Sequence, residues 1–247
     1  MASRKRQRAR RPARKSGLWL YGRHAVQAAL ANPARRAHRL LYSGEVPPEV
    51  PADRAGLTAQ SCTPQDLEAL LPGAVHQGWA LESEPLEEPA LEDVLFACGD
   101  TARLLVLDQV TDPRNVGAIL RSAAAYGAAG VIMQDRHAPP ESGALAKSAS
   151  GALESVPLVR VTNLARALDS LRDADFWRYG LDAHAEHSVG EIDFAARTAL
   201  ILGAEGAGLR RLTAERCDRM MHLAMSGEME SLNVAVAASI ALFASRT

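Results

Sequence analysis

Three polar stretches, each set among apolar residues, carry the side chains of this chain that could do chemistry. They are residues 108–123, 203–208 and 230–237. In each case an apolar run typical of a strand leads into a few polar or glycine residues, and a helix is predicted to begin there. This pattern indicates an α/β protein in which the ends of strands deliver these residues to a ligand site.

The first two stretches contain the charged candidates. Asn115 is predicted to cap a helix that begins near Val116, which places Arg121 about one and a half turns further along that helix. An exposed or ion-paired helix arginine is the alternative interpretation of Arg121. Glu205 lies between glycines, where a carboxylate near a helix N-terminus is favourable in any protein.

The glycines of the second stretch are Gly203, Gly206 and Gly208, and they follow the apolar residues 200–202. Missing side chains allow the backbone to approach a ligand closely. Their spacing is G-x-x-G-x-G and differs from the G-x-G-x-x-G of dinucleotide binders, so a nicotinamide site is not expected.

Together the three stretches, in this order and at this spacing, resemble the three motifs of the SpoU (TrmH-like) family of RNA ribose 2′-O-methyltransferases, part of the SPOUT superfamily of knotted enzymes. The resemblance continues at residues 21–26, 73–78 and 151–158 and covers about residues 18–245. The further segments look like the branch that methylates a guanosine in the peptidyl-transferase P loop of 23S ribosomal RNA. This resemblance implies S-adenosylmethionine as the methyl donor, 23S rRNA as the partner and a cytoplasmic homodimer.

The resemblance places five polar residues at the methyl-transfer site, namely Asn115, Arg121, Glu205, Ser231 and Asn233. It implies that Arg121 activates the ribose hydroxyl, although a guanidinium keeps its proton to about pH 12 and is a poor base. We therefore expect Arg121 to hold an RNA phosphate and to stabilise the developing alkoxide, oriented by Glu205. Since knotted relatives build their site across the dimer interface, Arg121 is expected beside the donor bound by the other subunit. Helix capping is the alternative explanation of Ser231 and Asn233.

The resemblance also implies a donor pocket. Its glycine turn includes Gly203 and Gly206, and the backbone around Leu223, Met225 and Leu232 is expected to hold the adenosyl part of S-adenosylmethionine. Apolar walls with backbone hydrogen bonds are suited to an adenine.

Residues 17–82 form a small mixed unit that is predicted to be a separate domain, and residues 83–90 have the composition of a linker. The resemblance implies an RNA-recognition domain like the ribosomal L30e fold. The predicted elements are helices at 22–31 and 64–70 and strands at 39–42 and 77–82.

From residue 91 to residue 247 strands alternate with helices, which predicts a parallel sheet covered on both faces. Periodicity alone favours an ordinary doubly wound sheet, because threaded chains are nearly absent among folds. The resemblance implies instead a deep trefoil knot with the donor bound in it. The predicted strands are 103–107, 130–133, 157–161, 177–181, 199–202 and 220–224, and the predicted helices are 91–97, 116–126, 142–150, 164–172, 209–217 and 232–245.

Charge is distributed unevenly along the chain. Residues 1–16 carry eight Lys or Arg and no acid, whereas residues 17–247 carry 20 bases and 29 acids, about −9. A basic, disordered arm on an acidic body is expected to contact RNA phosphates without sequence selectivity. A solvated tail without function is the alternative.

Neither a metal site nor a membrane segment is expected. Cys62, Cys98 and Cys217 are widely separated and are predicted to be reduced, buried residues of a cytoplasmic protein. His184 and His187 could share a helix face, but no third zinc ligand is in view. No apolar run approaches the roughly 18 residues that span a bilayer.

Two other functions are compatible with the sequence. One is a SpoU-type enzyme that acts on tRNA or on another rRNA nucleotide, and the N-terminal unit argues against the tRNA version. The other is a non-catalytic RNA-binding or ribosome-assembly factor, and the intact set of polar motif residues argues against it.

Overall fold

The computed structural model describes residues 17–44, 49–52, 54, 56–226 and 231–246. The basic arm at residues 1–16 lies outside these described residues, as does Glu230 of the third motif. Two β-sheets organise the described chain, one of four strands and one of seven.

The first sheet has the strand order β1-β4-β2-β3, and the pairing of β2 with β3 is parallel while the other two pairings are antiparallel. The pattern did not predict β1 or β3. All four residues of β3 are exposed, so this strand has no buried face that a hydrophobic pattern could reveal. The elements of this part are β1 (Leu18–Tyr21), α1 (Arg23–Ala31), β2 (Ala37–Tyr42), β3 (Thr58–Ser61), α2 (Pro64–Leu70) and β4 (Trp79–Ser83).

The second sheet is parallel throughout and has the strand order β7-β6-β5-β10-β8-β11-β9. This confirms the predicted parallel α/β architecture. The strands are β5 (Ala102–Leu107), β6 (Gly130–Gln134), β7 (Leu158–Val161), β8 (Trp177–Leu181), β9 (His187–Ser188), β10 (Arg197–Leu202) and β11 (Arg219–His222), and the helices are α3 (Leu91–Ala97), α4 (Pro113–Ala125), α5 (Gly143–Ala149), α6 (Leu164–Asp173), α7 (Arg211–Ala214) and α8 (Val234–Ala244).

The centre of the parallel sheet is buried on both faces, as expected for strands covered by helices on either side. Leu105 and Leu200 point into one apolar cluster, and Leu104 and Ile201 point into the other. Successive residues of β5 and β10 therefore enter opposite cores, which explains why both strands are continuous apolar runs in the sequence.

The predicted helix at residues 209–217 is wrong in extent, because α7 includes only Arg211–Ala214. Arg210 has an extended backbone (φ −65°, ψ 149°), and its backbone N–H donates to Oδ2 of Asp108 at 3.1 Å. A contact 102 residues away thus delays the start of the helix, and no local propensity encodes that contact.

The two sheets are joined by a buried charge cluster around Arg35, whose side chain is 0% exposed. Its Nη2 donates to Glu154 at 2.6 Å, its Nη1 donates to the carbonyl of Glu84 at 2.9 Å, and it also pairs with Glu141. Arg35 lies between α1 and β2, whereas both carboxylates belong to the part of the chain that carries the parallel sheet. The charge of the arginine is therefore neutralised only when the two parts are in contact.

A close backbone approach supports the same contact. A Cβ atom added at Gly143, the first residue of α5, would lie 2.4 Å from the carbonyl oxygen of Trp19 in β1. Only glycine leaves the space for β1 to lie against α5 at this point.

Candidate active site

A cavity of about 850 Å³ lies at the carboxyl ends of β8, β10 and β11. Ligands of parallel α/β sheets bind at this edge, because the loops after the strands converge there. Seven of the ten residues proposed from the sequence line this cavity: Gly203, Glu205, Gly206, Leu223, Met225, Ser231 and Leu232.

The glycine loop after β10 folds back on itself. The backbone N–H of Gly208 donates to the carbonyl of Ala204 at 2.9 Å, and a Cβ at Gly203 would lie 2.1 Å from the carbonyl carbon of Gly208. Gly206 at the tip has φ +78° and no heavy atom within 4 Å of its Cβ position. Gly203 is therefore required by packing within the loop, whereas Gly206 is required by its left-handed backbone.

Three motif side chains meet at Oε1 of Glu205. Nδ2 of Asn233 donates to this oxygen at 2.7 Å and Nδ2 of Asn115 donates to it at 3.0 Å. Nδ2 of Asn233 also donates to Oδ1 of Asn115 at 3.0 Å, and the backbone N–H of Val234 reaches Glu205 at 3.3 Å. We call Asn115, Glu205 and Asn233 the motif triangle. It joins one residue from each of the three sequence motifs.

The prediction that Asn115 caps its helix is wrong. The helix α4 begins at Pro113, three residues earlier than expected, and its N-cap is Asp112, whose side chain accepts from the backbone N–H of Arg114 at 2.8 Å. Proline is well suited to the first position of a helix, where its missing N–H costs nothing. The amide of Asn115 is consequently free to bind Glu205.

The capping interpretation of Asn233 is confirmed, and its role at a methyl-transfer site stays a prediction. It is the N-cap of α8, because its Oδ1 accepts from the backbone N–H groups of Ala235 and Val236 at 3.0 and 3.4 Å. Its Nδ2 faces the other way and completes the motif triangle. Ser231 is exposed and lines the cavity without serving as the cap.

Arg121 lies exposed on α4 and outside the motif triangle. Arg121 lies six positions after Asn115 in the same helix, so the two side chains point about 120° apart and are separated by about 9 Å along the helix axis. The expected orientation of Arg121 by Glu205 is not seen within one chain, since Glu205 binds the two asparagines instead.

Sequence reasoning missed three cavity residues, Asp182, His184 and His222. Oδ1 of Asp182 accepts from the backbone N–H of His184 at 2.8 Å, which shapes the turn after β8. A polar residue directly after a buried strand was the signal that could have identified Asp182.

The charges of the cavity favour a cationic ligand. Two carboxylates, Asp182 and Glu205, line it, and no lysine or arginine lines it in the part of the chain that the structure describes. The apolar side chains of Leu223 and Leu232 also line the cavity. This composition suits a ligand that combines an aromatic base with a positive charge.

The two histidines that were considered as a zinc pair do not share a helix. His184 lies in the turn after β8, and His187 begins β9. Among the described residues, no group of three or more His, Cys, Asp or Glu is placed to hold a metal ion. No helix in the described ranges is both long enough and apolar enough to cross a membrane.

The seven-stranded parallel sheet and the cavity at its carboxyl edge define a ligand-binding α/β domain. The model of the SpoU rRNA Methylase family matches residues 102–243, and the model described as RNA 2'-O ribose methyltransferase substrate binding matches residues 19–89. The chain belongs to the SpoU rRNA methylase family.

Curated relatives are similar over nearly the whole length. The 23S rRNA (guanosine-2'-O-)-methyltransferase RlmB of Xylella fastidiosa (strain 9a5c) is 40% identical over 238 residues, which cover 93% of this chain and 96% of the relative. The enzyme of the same name from Escherichia coli (strain K12) is 41% identical over 233 residues, covering 91% and 96%.

Solved structures agree with the fold. The SpoU methyltransferase AviRb from Streptomyces viridochromogenes is 26% identical, with a TM-score of 0.79 and coverage of 94% of this chain and 89% of that chain. A structure of AviRb in complex with the cofactor AdoMet has the same identity and coverage and a TM-score of 0.76.

Proposed function

We propose that this chain transfers a methyl group from S-adenosylmethionine to the ribose 2′-hydroxyl of a guanosine in 23S rRNA. The observation that carries the proposal is the motif triangle, which gathers Asn115, Glu205 and Asn233 beside a donor-sized cavity. Relatives that are 40 and 41% identical over nine-tenths of the chain are 23S rRNA guanosine methyltransferases, which supports this substrate.

The residues of the cavity fit the methyl donor. The glycine loop leaves open space at Gly206. Leu223 and Leu232 form an apolar part of the cavity wall, and the carboxylates of Asp182 and Glu205 supply negative charge. These residues would hold S-adenosylmethionine, with Met225 and Gly203 completing the wall. When bound, the donor supplies an electrophilic methyl carbon on a sulfonium whose charge disappears on transfer.

The chain has to align the ribose hydroxyl and assist the loss of its proton. Glu205 is held by three hydrogen bonds from the motif triangle and Val234, so its carboxylate is fixed at the cavity wall. Ser231 is a second polar group on the same wall. Arg121 supplies a fixed positive charge for an RNA phosphate and for the alkoxide that develops as the proton leaves.

A homodimer would bring Arg121 of the partner subunit to this site. The helix α8 exposes an apolar stripe of Val236, Ile240 and Phe243, which are 47%, 41% and 62% exposed. The helix α4 packs against α8 through a hydrogen bond of 2.6 Å between Ser122 and Ser239 and carries Arg121. Burial of the apolar stripe by a second copy would place α4 of each subunit at the interface.

We expect the C-terminal part of the chain to pass through a loop and form a deep trefoil knot in which the donor binds. We also expect the unit that includes the first sheet to be an L30e-like domain that recognises the RNA. The match of residues 19–89 to a substrate-binding family model supports that role. We expect the target to lie in the peptidyl-transferase P loop, and the enzyme to act in the cytoplasm.

The test is ribose-methylation mapping of 23S rRNA that lacks the modification, after incubation with the purified protein and S-adenosylmethionine. We expect one methylated guanosine in the P loop and no methylation of tRNA. Methylation of tRNA, or of another rRNA nucleotide, would replace the proposed target, and absence of transfer despite donor binding would favour an RNA-binding factor.

A further inference from the structure

A second cavity, of about 370 Å³, lies at the carboxyl ends of β6 and β7. It is lined by Gln134, by Asn163 and Leu164 at the start of α6, and by Arg210 and Arg211. The carboxyl ends of parallel strands lie on one edge of the sheet, so both cavities are on the same side of the molecule. The second cavity, at β6, and the first cavity, at β8, are three strands apart in the sheet. Neighbouring strands are about 4.8 Å apart, so the two cavities are separated by roughly 15 Å.

Arg210 is held rigidly beside this second cavity. Its Nε donates to Oδ1 of Asp108 at 2.7 Å, and its Nη2 donates to Oε1 of Gln134 at 2.8 Å. Asp108 is 0% exposed and Gln134 is 7% exposed, whereas the side chain of Arg210 is 51% exposed. Two buried acceptors therefore fix one edge of the guanidinium. Its Nη1 has no hydrogen-bond partner among the described residues and is available to a ligand.

Other donors face the same space. Arg211 is 78% exposed and pairs with Glu215 one turn further along, and Arg210 and Arg211 are the only charged residues among the described lining of the cavity. The helix α6 has ten residues, and Asn163 caps it by accepting from the backbone N–H of Arg166 at 3.1 Å. The preceding N–H groups, of Leu164 and Ala165, have no acceptor in the described structure, and both residues line the cavity.

Two arginines and the N-terminal N–H groups of a helix around a pocket without acids make a site for an oxyanion. We propose that this second cavity binds a backbone phosphate of the substrate RNA, a few nucleotides from the ribose that is methylated. This inference rests on the proposed function, because the RNA strand must cross the edge of the sheet to reach the first cavity. Arg210 fixes the position of the phosphate, and Arg211 adds charge.

The variant Arg211→Glu tests the site. Its side chain is 78% exposed and has the exposed Glu215 as its hydrogen-bond partner among the described residues, so the fold is expected to persist. We expect RNA affinity to fall about tenfold and KM for RNA to rise in parallel, with kcat and the affinity for S-adenosylmethionine within twofold of wild type. The slope of log affinity against log salt is expected to become shallower by about 0.7 to 0.9, the loss of one phosphate contact. Arg211→Lys is expected to retain most of this slope.

Arg172→Glu is the matched control, because Arg172 is exposed at the opposite end of α6 and undergoes the same charge change. Equal RNA affinities and salt slopes for Arg211→Glu and Arg172→Glu would overturn the proposal. A second outcome would also overturn the proposal: Arg211→Glu weakens the binding of inorganic phosphate at the second cavity but leaves the affinity for RNA unchanged. RNA binding is measured in an assay that does not depend on methyl transfer. If the wild-type protein binds RNA in an Arg211-dependent way but does not methylate it, that result would contradict the proposed function and leave the phosphate site supported.

Discussion

Nδ2 of Asn233 and Oε1 of Glu205 lie 2.7 Å apart, which ties the start of the last helix to the tip of the glycine loop. The same carboxylate oxygen accepts from Asn115 at the start of α4. One charged oxygen thus holds together two helix N-termini and a loop.

Glu205→Ala is expected to reduce methyl transfer about a hundredfold, because displacement of positioned groups by about 1 Å has this effect on rate. The loss in unfolding free energy is expected to be about 1 kcal/mol, since the site is exposed and water can replace the lost acceptor. Single-turnover methylation and denaturant unfolding measure the two effects. Glu205→Gln keeps an oxygen acceptor and is the control, so equal activity of the two variants would mean that the charge, and not the geometry, is what matters.

Arg121→Ala is expected to abolish methyl transfer while donor affinity stays near that of wild type, because Arg121 lies outside the donor cavity. A variant that keeps more than a tenth of the wild-type rate, a loss below about 1.4 kcal/mol, would contradict its catalytic role. Arg121→Lys is expected to rescue little, since an ammonium group cannot make the planar two-point contact.

Mixing the Arg121→Ala and Glu205→Ala chains tests whether the two residues act across a dimer. Each variant alone is expected to have about 1% of the wild-type activity or less, and a mixed dimer would contain one site with both native residues. After random reassociation we expect about a quarter of the wild-type activity. No recovery in a verified mixed dimer would place both residues in the site of one chain.

Gly206→Val is expected to weaken the binding of S-adenosylmethionine, which calorimetry measures directly. The structure changes the reason for this expectation, because the Cβ position at Gly206 is open and the strain lies in its φ of +78°. A β-branched residue is strained in the left-handed region, whereas asparagine tolerates it better. Gly206→Asn is therefore expected to bind the donor more tightly than Gly206→Val. The opposite order would mean that contact of the side chain with the ligand dominates.

Arg35→Ala is expected to lower the unfolding free energy by about 3–5 kcal/mol, because it leaves the carboxylates of Glu141 and Glu154 without their buried partner. Burial already raises the pKa of Glu141 despite the opposing charge of Arg35. The neighbouring Arg36, 81% exposed in its side chain, is the control, and Arg36→Ala is expected to change stability by less than about 0.5 kcal/mol. Comparable losses for both variants in denaturant unfolding would contradict the buried-cluster interpretation.

Cys217 is expected to resist alkylation in the folded protein. Burial raises the pKa of its thiol from 9.0 to about 12, so the thiolate fraction at pH 8 is about a thousandfold below that of the unfolded chain. Because the folded-state pKa is raised, the thiol favours folding below about pH 9, and this contribution is lost as the pH rises from 9 towards 12. Mass spectrometry after iodoacetamide treatment measures the labelling. Equally rapid labelling of native and denatured protein would contradict the shift.

The sequence by itself determined the parallel α/β architecture, the placement of most strands and helices, and the seven cavity residues. The architecture and its elements follow from local pattern, the alternation of apolar runs typical of strands with helices, whereas the cavity residues follow from the resemblance of the three motifs to a known family. The motifs were also sufficient to indicate the family, since their order and spacing are written in the chain.

Only the tertiary structure decided which residues meet. Asn115 and Asp112 were both competent helix caps, and Asn115 became a partner of Glu205 because β5 pairs with β10 and brings together residues 90 positions apart. The same holds for Arg210, whose contact with Asp108 shortened α7, and for Arg35, whose two carboxylates lie more than 100 residues away. Local propensity acts over a few residues, whereas the hydrogen-bond partners of a buried charge are selected by the packing of the whole chain.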